Sequence, residues 1–315
     1  MGNPLLRRLI PAFLVALLAS SCGGDVGPSD AATDFTPFGI DLASDESPAI
    51  VPCVQGCWSV DCGSVPECGM ALIPAGPFMM GCDESAIADC GQDEIPYHQV
   101  NLSAYFIDRN EVTVGDYAAC VDAGACTPPV DPDPACDWGN PERADFPMTC
   151  VDWFQSQAFC NWRDKRLPTE AEWEKAARGG DARIYPWGDQ VPSCQVAVVF
   201  DDVAGGRGCG TDHPMAVCSK SPAGDSPAGL CDMAGNVWER VSDWYGRDYY
   251  AASPSTDPSG PEAGQGRVSR GGTITMINRD TYLRSFNRYY HQPQATDVLL
   301  GFRCARDARP ADDVD

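Results

Sequence analysis

Seventeen cysteines in a chain of 315 residues limit what it can fold into more than any other feature. Cytosolic thiols stay reduced, so this density points to disulfides in an oxidising compartment or to metal clusters. With Cys22 set aside, sixteen remain, an even number that allows up to eight disulfides. Cys53, Cys57, Cys62 and Cys68 are the densest group, with three, four and five residues between them. They lack the CxxC pairs of zinc sites and have no histidine nearby, so a small disulfide knot is expected. Thirty-one glycines and 27 prolines predict a loop-rich body, and a hydrophobic content of 43% is enough for a packed core.

The N-terminus reads as an export signal. Arg7 and Arg8 precede a short apolar run, Leu9 to Leu18, that cannot span a bilayer as a permanent helix. The run ends in LASSC, which resembles a bacterial lipoprotein cleavage box with Cys22 as the acylated residue. An ordinary signal peptide cleaved nearby is the competing reading. Residues 1–21 are therefore expected to be the signal, 22–50 a polar tether, 51–70 the Cys-rich lead-in, 71–306 the main domain and 307–315 an acidic tail. The tether lacks hydrophobic periodicity, which predicts disorder. This layout predicts an exported protein of the cell envelope, at the membrane through a lipid anchor only. The net charge of −23 argues against nucleic acid or anionic lipid surfaces as partners.

Three helices are expected. Thr113 can cap the first, with Asp116 three residues on and a Val114, Tyr117, Val121 stripe. Asp152 with Gln155 starts the second, whose buried face is expected to be Phe154, Ala158, Phe159 and Trp162. Thr169 with Glu172 starts the third, and Gly179–Gly180 ends it. Strands are expected at 71–74, 105–108, 266–271 and 299–303. The fold class is α+β with much irregular structure.

Several phrases carry a family resemblance, from IPAGPFMMGCDE (Ile73 to Glu84) to GFRCA (Gly301 to Ala305). Between them lie RLPTEAEWEKAARGG (Arg166 to Gly180), YPWGD (Tyr185 to Asp189), GLCDMAGNVWE (Gly229 to Glu239) and RVSRGG (Arg267 to Gly272). In this order they resemble the formylglycine-generating enzymes, or sulfatase-modifying factors. The resemblance implies the family's variant of the C-type lectin-like fold, disulfide-stapled. Those enzymes oxidise a sulfatase cysteine with molecular oxygen at a Cu(I) held by two thiolates, and soft thiolates select Cu(I). Here the two thiolate positions hold Met276 and Thr281, and no cysteine occurs between Cys231 and Cys304. Copper is therefore not expected, and the chain leans away from catalysis. The resemblance also implies a Cys160–Cys304 disulfide. A second family bridge would need cysteines at Ala177 and near Phe286, and both are absent. Proximity alone suggests Cys82–Cys90 and Cys120–Cys126.

The resemblance further implies a structural Ca²⁺ held by the Asp232 side chain, the Gly235 and Val237 carbonyls and Glu239. Carboxylates and carbonyls on a tight turn suit a hard cation. A metal-free turn is the competing reading. The family's other calcium site lacks its residues at Val198 and Gly206. Arg240 replaces an aromatic residue that follows this Glu in the family. A related iron-dependent branch is not expected either, because His98, His213 and His291 lack helical spacing. Late aromatics (Trp244, Tyr245, Tyr249, Tyr250, Tyr282, Phe286, Tyr289, Tyr290) suit glycan stacking or protein contacts, or else core packing. The leading expectation is a non-catalytic binding or scaffold module of the cell envelope, with a protein or glycan partner. An oxygen-dependent oxidoreductase and an accessory protein binding sulfatase-like peptides are the alternatives.

Overall fold

The computed structural model describes residues 69–130, 133, 135–277 and 281–309. Cys22, the export signal, the tether and the cluster from Cys53 to Cys68 lie outside the described residues.

Three small sheets and three helices make an α+β domain. The first sheet joins β1 (Met70–Ile73), β4 (Tyr105–Asp108) and β9 (Ala305–Asp307), all antiparallel, with β4 central. It brings the two ends of the domain together. A hairpin of β2 (Gly76–Met80) and β3 (His98–Leu102) forms the second. The third has β5 (Trp238–Trp244) and β6 (Arg267–Arg270) at its centre, flanked by β8 (Leu300–Phe302) and β7 (Tyr289–His291). Its β5–β8 pair is parallel and the others are antiparallel. The expected strands at 71–74, 266–271 and 299–303 are found within a residue or two of their ends. Pro74 cannot extend β1, since it has no N–H for the ladder.

Each helix starts where its cap residues lie. Helices α1 (Val114–Asp122), α2 (Trp153–Trp162) and α3 (Glu170–Arg178) all begin with a full capping box, from Thr113/Asp116, Asp152/Gln155 and Thr169/Glu172. Such a box satisfies two amides that the first turn leaves open. The expected buried face of α2 needs correction. Phe154 is 50% exposed, whereas Trp153, Ser156, Phe159 and Cys160 point inward. Trp153 turns in because its indole N–H donates to the Val241 carbonyl at 2.9 Å.

Helix α3 is the centre of the molecule. All nine of its residues are buried, although five are charged. Each charge has a partner. Arg288 grips Glu170 at 2.7 and 2.8 Å, and Arg178 meets Glu174 at 3.0 Å. Arg166 grips Glu172 at 2.6 and 2.7 Å, while Lys175 donates to the Pro74 and Gly76 carbonyls. Arg270 also pairs with Glu174. Burial without partners would cost several kcal/mol per ion, so these pairs are what allow the helix to sit inside. Around it pack Phe78, Val100, Tyr105, Ile107, Val241 and Val268.

A second cluster, with Tyr117, Phe159, Leu167 and Phe302, joins α1 and α2 to β8. It contains the Cys160–Cys304 disulfide, which ties α2 to the C-terminal strands with Cα atoms 5.6 Å apart. Five more disulfides join Cys82–Cys90, Cys120–Cys126, Cys136–Cys150, Cys194–Cys209 and Cys218–Cys231. Among the described residues, no helix is long and apolar enough to cross a membrane.

Candidate binding cleft and carboxylate cluster

The RGG phrase ends β6 and turns the chain. Gly271 and Gly272 adopt φ of 94° and 76°, and a Cβ on Gly272 would lie 3.0 Å from both Leu283 and the Tyr282 carbonyl. Glycine is what permits both the conformation and the close approach. The turn places Thr273, Thr275 and Met276 along one wall of a cleft of about 240 Å³. Trp238, Tyr282, Tyr289, His291, Asp297 and Leu299 complete it. A second cleft of about 340 Å³ shares Tyr282 and Tyr289 with the first. Thr281 lines this second cleft, together with Asp93, Glu94, Tyr245, Asn287 and Tyr290.

The two residues at the thiolate positions thus line adjoining clefts. Met276 also packs against the cluster of Tyr185, Ala197, Val199 and Leu283. All twelve cysteines of the described residues are paired in disulfides. No thiol lines either cleft. These residues do not fit a Cu(I) dithiolate.

Aromatic rings give the clefts their shape. Trp238 stacks on Tyr289 with centroids 5.3 Å apart, and Tyr245 stacks on Tyr290 at 4.6 Å. Tyr282 meets Trp238 and Tyr289 edge-on at 5.9 and 5.8 Å. Tyr282 and Tyr289 keep 36% and 40% of their surface open, while Tyr250 and Phe286 are core residues. His291 shares a 2.6 Å hydrogen bond with Ser269 through Nδ1. Burial, aided by the Arg240 charge, holds its pKa down at about 4, so the ring is neutral at ordinary pH. Arg240 itself is buried beneath this wall and donates to the Val151 and Ala295 carbonyls.

The other expected site lies in the 231–239 turn. Asp232, Gly235 and Asn236 take φ of 58°, 85° and 56°. Asp232 accepts from the Cys218 amide, and its neighbours Cys218 and Cys231 are joined to each other. Glu239 is the first buried carboxylate of β5. Both its oxygens accept from Arg303 at 2.6 Å, and one also accepts from Trp173 at 2.8 Å. Sequence reasoning missed Glu111, which is fully buried beside them. One Glu111 oxygen accepts from Asn236 at 3.1 Å, and Oε2 has no hydrogen-bond partner. Burial and the Asp232 and Glu239 charges push the Glu111 pKa well up. Burial likewise pushes Asp232 up to about 6. Three carboxyls face one guanidinium, and one carboxyl oxygen lacks a donor. That charge excess and open acceptor fit a divalent cation, with Asp232 and Glu111 as the available side chains.

Few of the cleft acids could be found from sequence. Asp89 lies in the loop closed by Cys82–Cys90, Asp93 and Glu94 follow that loop before β3, and Asp297 lies in a loop before β8. The only signal was the local run of acids around Cys90.

Fold and cleft define a loop-rich domain of the C-type lectin-like kind, with its aromatic groove at the RGG turn. The chain belongs to the sulfatase-modifying factor enzyme 1-like domain family, whose model matches residues 61–308. It is 33% identical to the formylglycine-generating enzyme of Streptomyces coelicolor, covering 76% of this chain and 90% of that one. It is 29% identical to the hercynine oxygenase of Mycolicibacterium smegmatis, covering 75% of this chain and 60% of that one. Among solved structures, PvdO from Pseudomonas aeruginosa is 28% identical with a TM-score of 0.64, covering 76% of this chain and 94% of that one.

Proposed function

We propose that this protein is a non-catalytic binding module of the bacterial cell envelope, exported and held at the membrane by acylated Cys22. The aromatic cleft takes a segment of a partner protein without oxidising it. One observation carries this reading: Met276 and Thr281 stand at the two thiolate positions, in clefts that no thiol lines. A thioether and a hydroxyl do not make the two-thiolate Cu(I) site through which oxygen would be activated. What remains is surface for recognition, and open aromatic rings suit that role.

The frame is braced by the six disulfides of the described residues and, in this reading, by Ca²⁺ at Asp232 with the Gly235 and Val237 carbonyls. Bound there, the ion would neutralise the buried carboxyls and fix the turn from which β5 starts. Glu239, committed to Arg303, stands behind it. The test is oxygen uptake by the oxidised protein with added copper and a cysteine-containing sulfatase peptide. Uptake at the level of buffer is expected. Peptide-dependent uptake would establish the oxidoreductase alternative instead.

A further inference from the structure

Two bonded cysteines stand against a buried carboxyl. Cys218, Cys231 and Asp232 are all buried. Their two sulfurs and an Asp232 carboxylate oxygen lie within 4.8 Å of one another. Among the described residues, no other three His, Cys, Asp or Glu side chains converge in this way. Glu111 is fully buried and close enough to feel the Asp232 charge, and its Oε2 accepts no hydrogen bond.

The backbone holds both cysteines without help from the sulfurs. The Cys218 amide donates to Asp232, and its carbonyl accepts from the Ser221 amide at 3.1 Å. The Cys231 amide donates to the Arg109 carbonyl at 3.0 Å, and its carbonyl accepts from Arg303 at 2.9 Å. Opening the S–S bond breaks none of these contacts, so both side chains stay beside Asp232.

The donor set then changes character. Joined to each other, the sulfurs are poor ligands, and the turn offers a cation only oxygen, which suits a hard ion. Separated, they are two thiols next to a carboxylate, and sulfur with oxygen is a set that zinc takes. Arg303 is already gripped by Glu239 through two bonds of 2.6 Å, so a divalent metal is what would balance two thiolates.

We propose that Cys218 and Cys231 form a redox-gated site for a thiophilic divalent cation of the zinc class, with Asp232 as third ligand and Glu111 placed to supply the fourth. A dithiol or another two-electron reductant opens it. The disulfide takes up two electrons and two protons, and the dithiol closes to its own disulfide. The metal then replaces the two thiol protons, which leave to solvent, and reoxidation expels the metal. This goes beyond the binding-module reading. It depends on neither the clefts nor bound calcium, and its failure would leave that reading untouched.

The experiment treats the full chain, in native calcium-free buffer, with a phosphine reductant. It then adds Co²⁺ in place of zinc, because cobalt held by thiolates gives a strong near-ultraviolet charge-transfer band. One equivalent should bind with that band, and zinc should abolish it. Untreated protein should show no band. Alkylation and mass mapping should find Cys218 and Cys231 open after the same treatment. Cys218→Ser/Cys231→Ser should lose the band, and Cys136→Ser/Cys150→Ser should keep it. Asp232→Asn should weaken cobalt binding by about tenfold while keeping the band, a split that a purely structural role would not give. The proposal is overturned by a Cys218–Cys231 bond that stays closed under the reductant, or by reduced protein that binds no cobalt. A band that survives in Cys218→Ser/Cys231→Ser, or that needs Cys136 and Cys150, overturns it equally.

Discussion

The Glu239 carboxylate and the Arg303 guanidinium form a two-pronged pair, with both bonds at 2.6 Å and neither residue exposed. Glu239 opens β5 and Arg303 follows β8, so the pair locks the parallel strands of the third sheet together. Arg303 also donates to the Asp108, Arg109 and Cys231 carbonyls, linking that sheet to the first.

Arg303→Met should therefore cost about 3–5 kcal/mol, because it strands a buried carboxylate and removes a donor from each of three carbonyls. Urea unfolding measures this. A loss below about 1 kcal/mol would show that the pair does not hold the sheets together.

Among the described residues, the Cys160–Cys304 bond closes the longest disulfide loop, 144 residues. Replacing both cysteines with serine should lower stability by about 2–5 kcal/mol. Replacing both residues of Cys120–Cys126, which spans six residues, should cost less. Equal losses in parallel unfolding experiments would contradict a loop-closure origin.

Calcium should stabilise the protein through the buried carboxyls. Protein freed of metal by a chelator should gain about 2.7 kcal/mol when calcium is restored at a hundred times its dissociation constant. Asp232→Asn and Glu111→Gln should each weaken calorimetrically measured binding. Binding that is absent in the parent protein would remove the ion from the account.

His291 sets a pH response. Its folded pKa is about 4, below the value near 6.5 of an unfolded histidine. The unfolded chain therefore binds the proton first as pH falls. Stability supplied by the neutral ring is complete above about pH 6.5 and is lost down to about pH 4. His291→Gln should flatten that window by about 1–3 kcal/mol relative to the parent. Identical pH profiles would show that the ring is not held neutral.

Caps were the most legible part of the fold. Thr113, Asp152 and Thr169 each announce a helix because the reciprocal side-chain bond is local in sequence. Strand β5 was not legible. Its buried polar residues, Glu239, Arg240 and Asp243, break any two-residue alternation, and their partners lie far away in the chain. The inward turn of Trp153 in place of Phe154 has the same cause: its bond to Val241 spans 88 residues. At the site, the RGG turn and Asp232 could be read from family phrases. Glu111 and Asp93 could not, since each matters through what the fold packs against it.

The most direct test of the central claim is a Cu(I) titration of the oxidised full chain against a chromophoric chelator. A Met276→Cys/Thr281→Cys variant, with both thiols reduced, would run in parallel. The account predicts no competitive binding by the parent and one equivalent bound by the variant. Tight one-to-one binding by the parent would contradict it, and would show that Met276 and its neighbours hold copper without the thiolate pair.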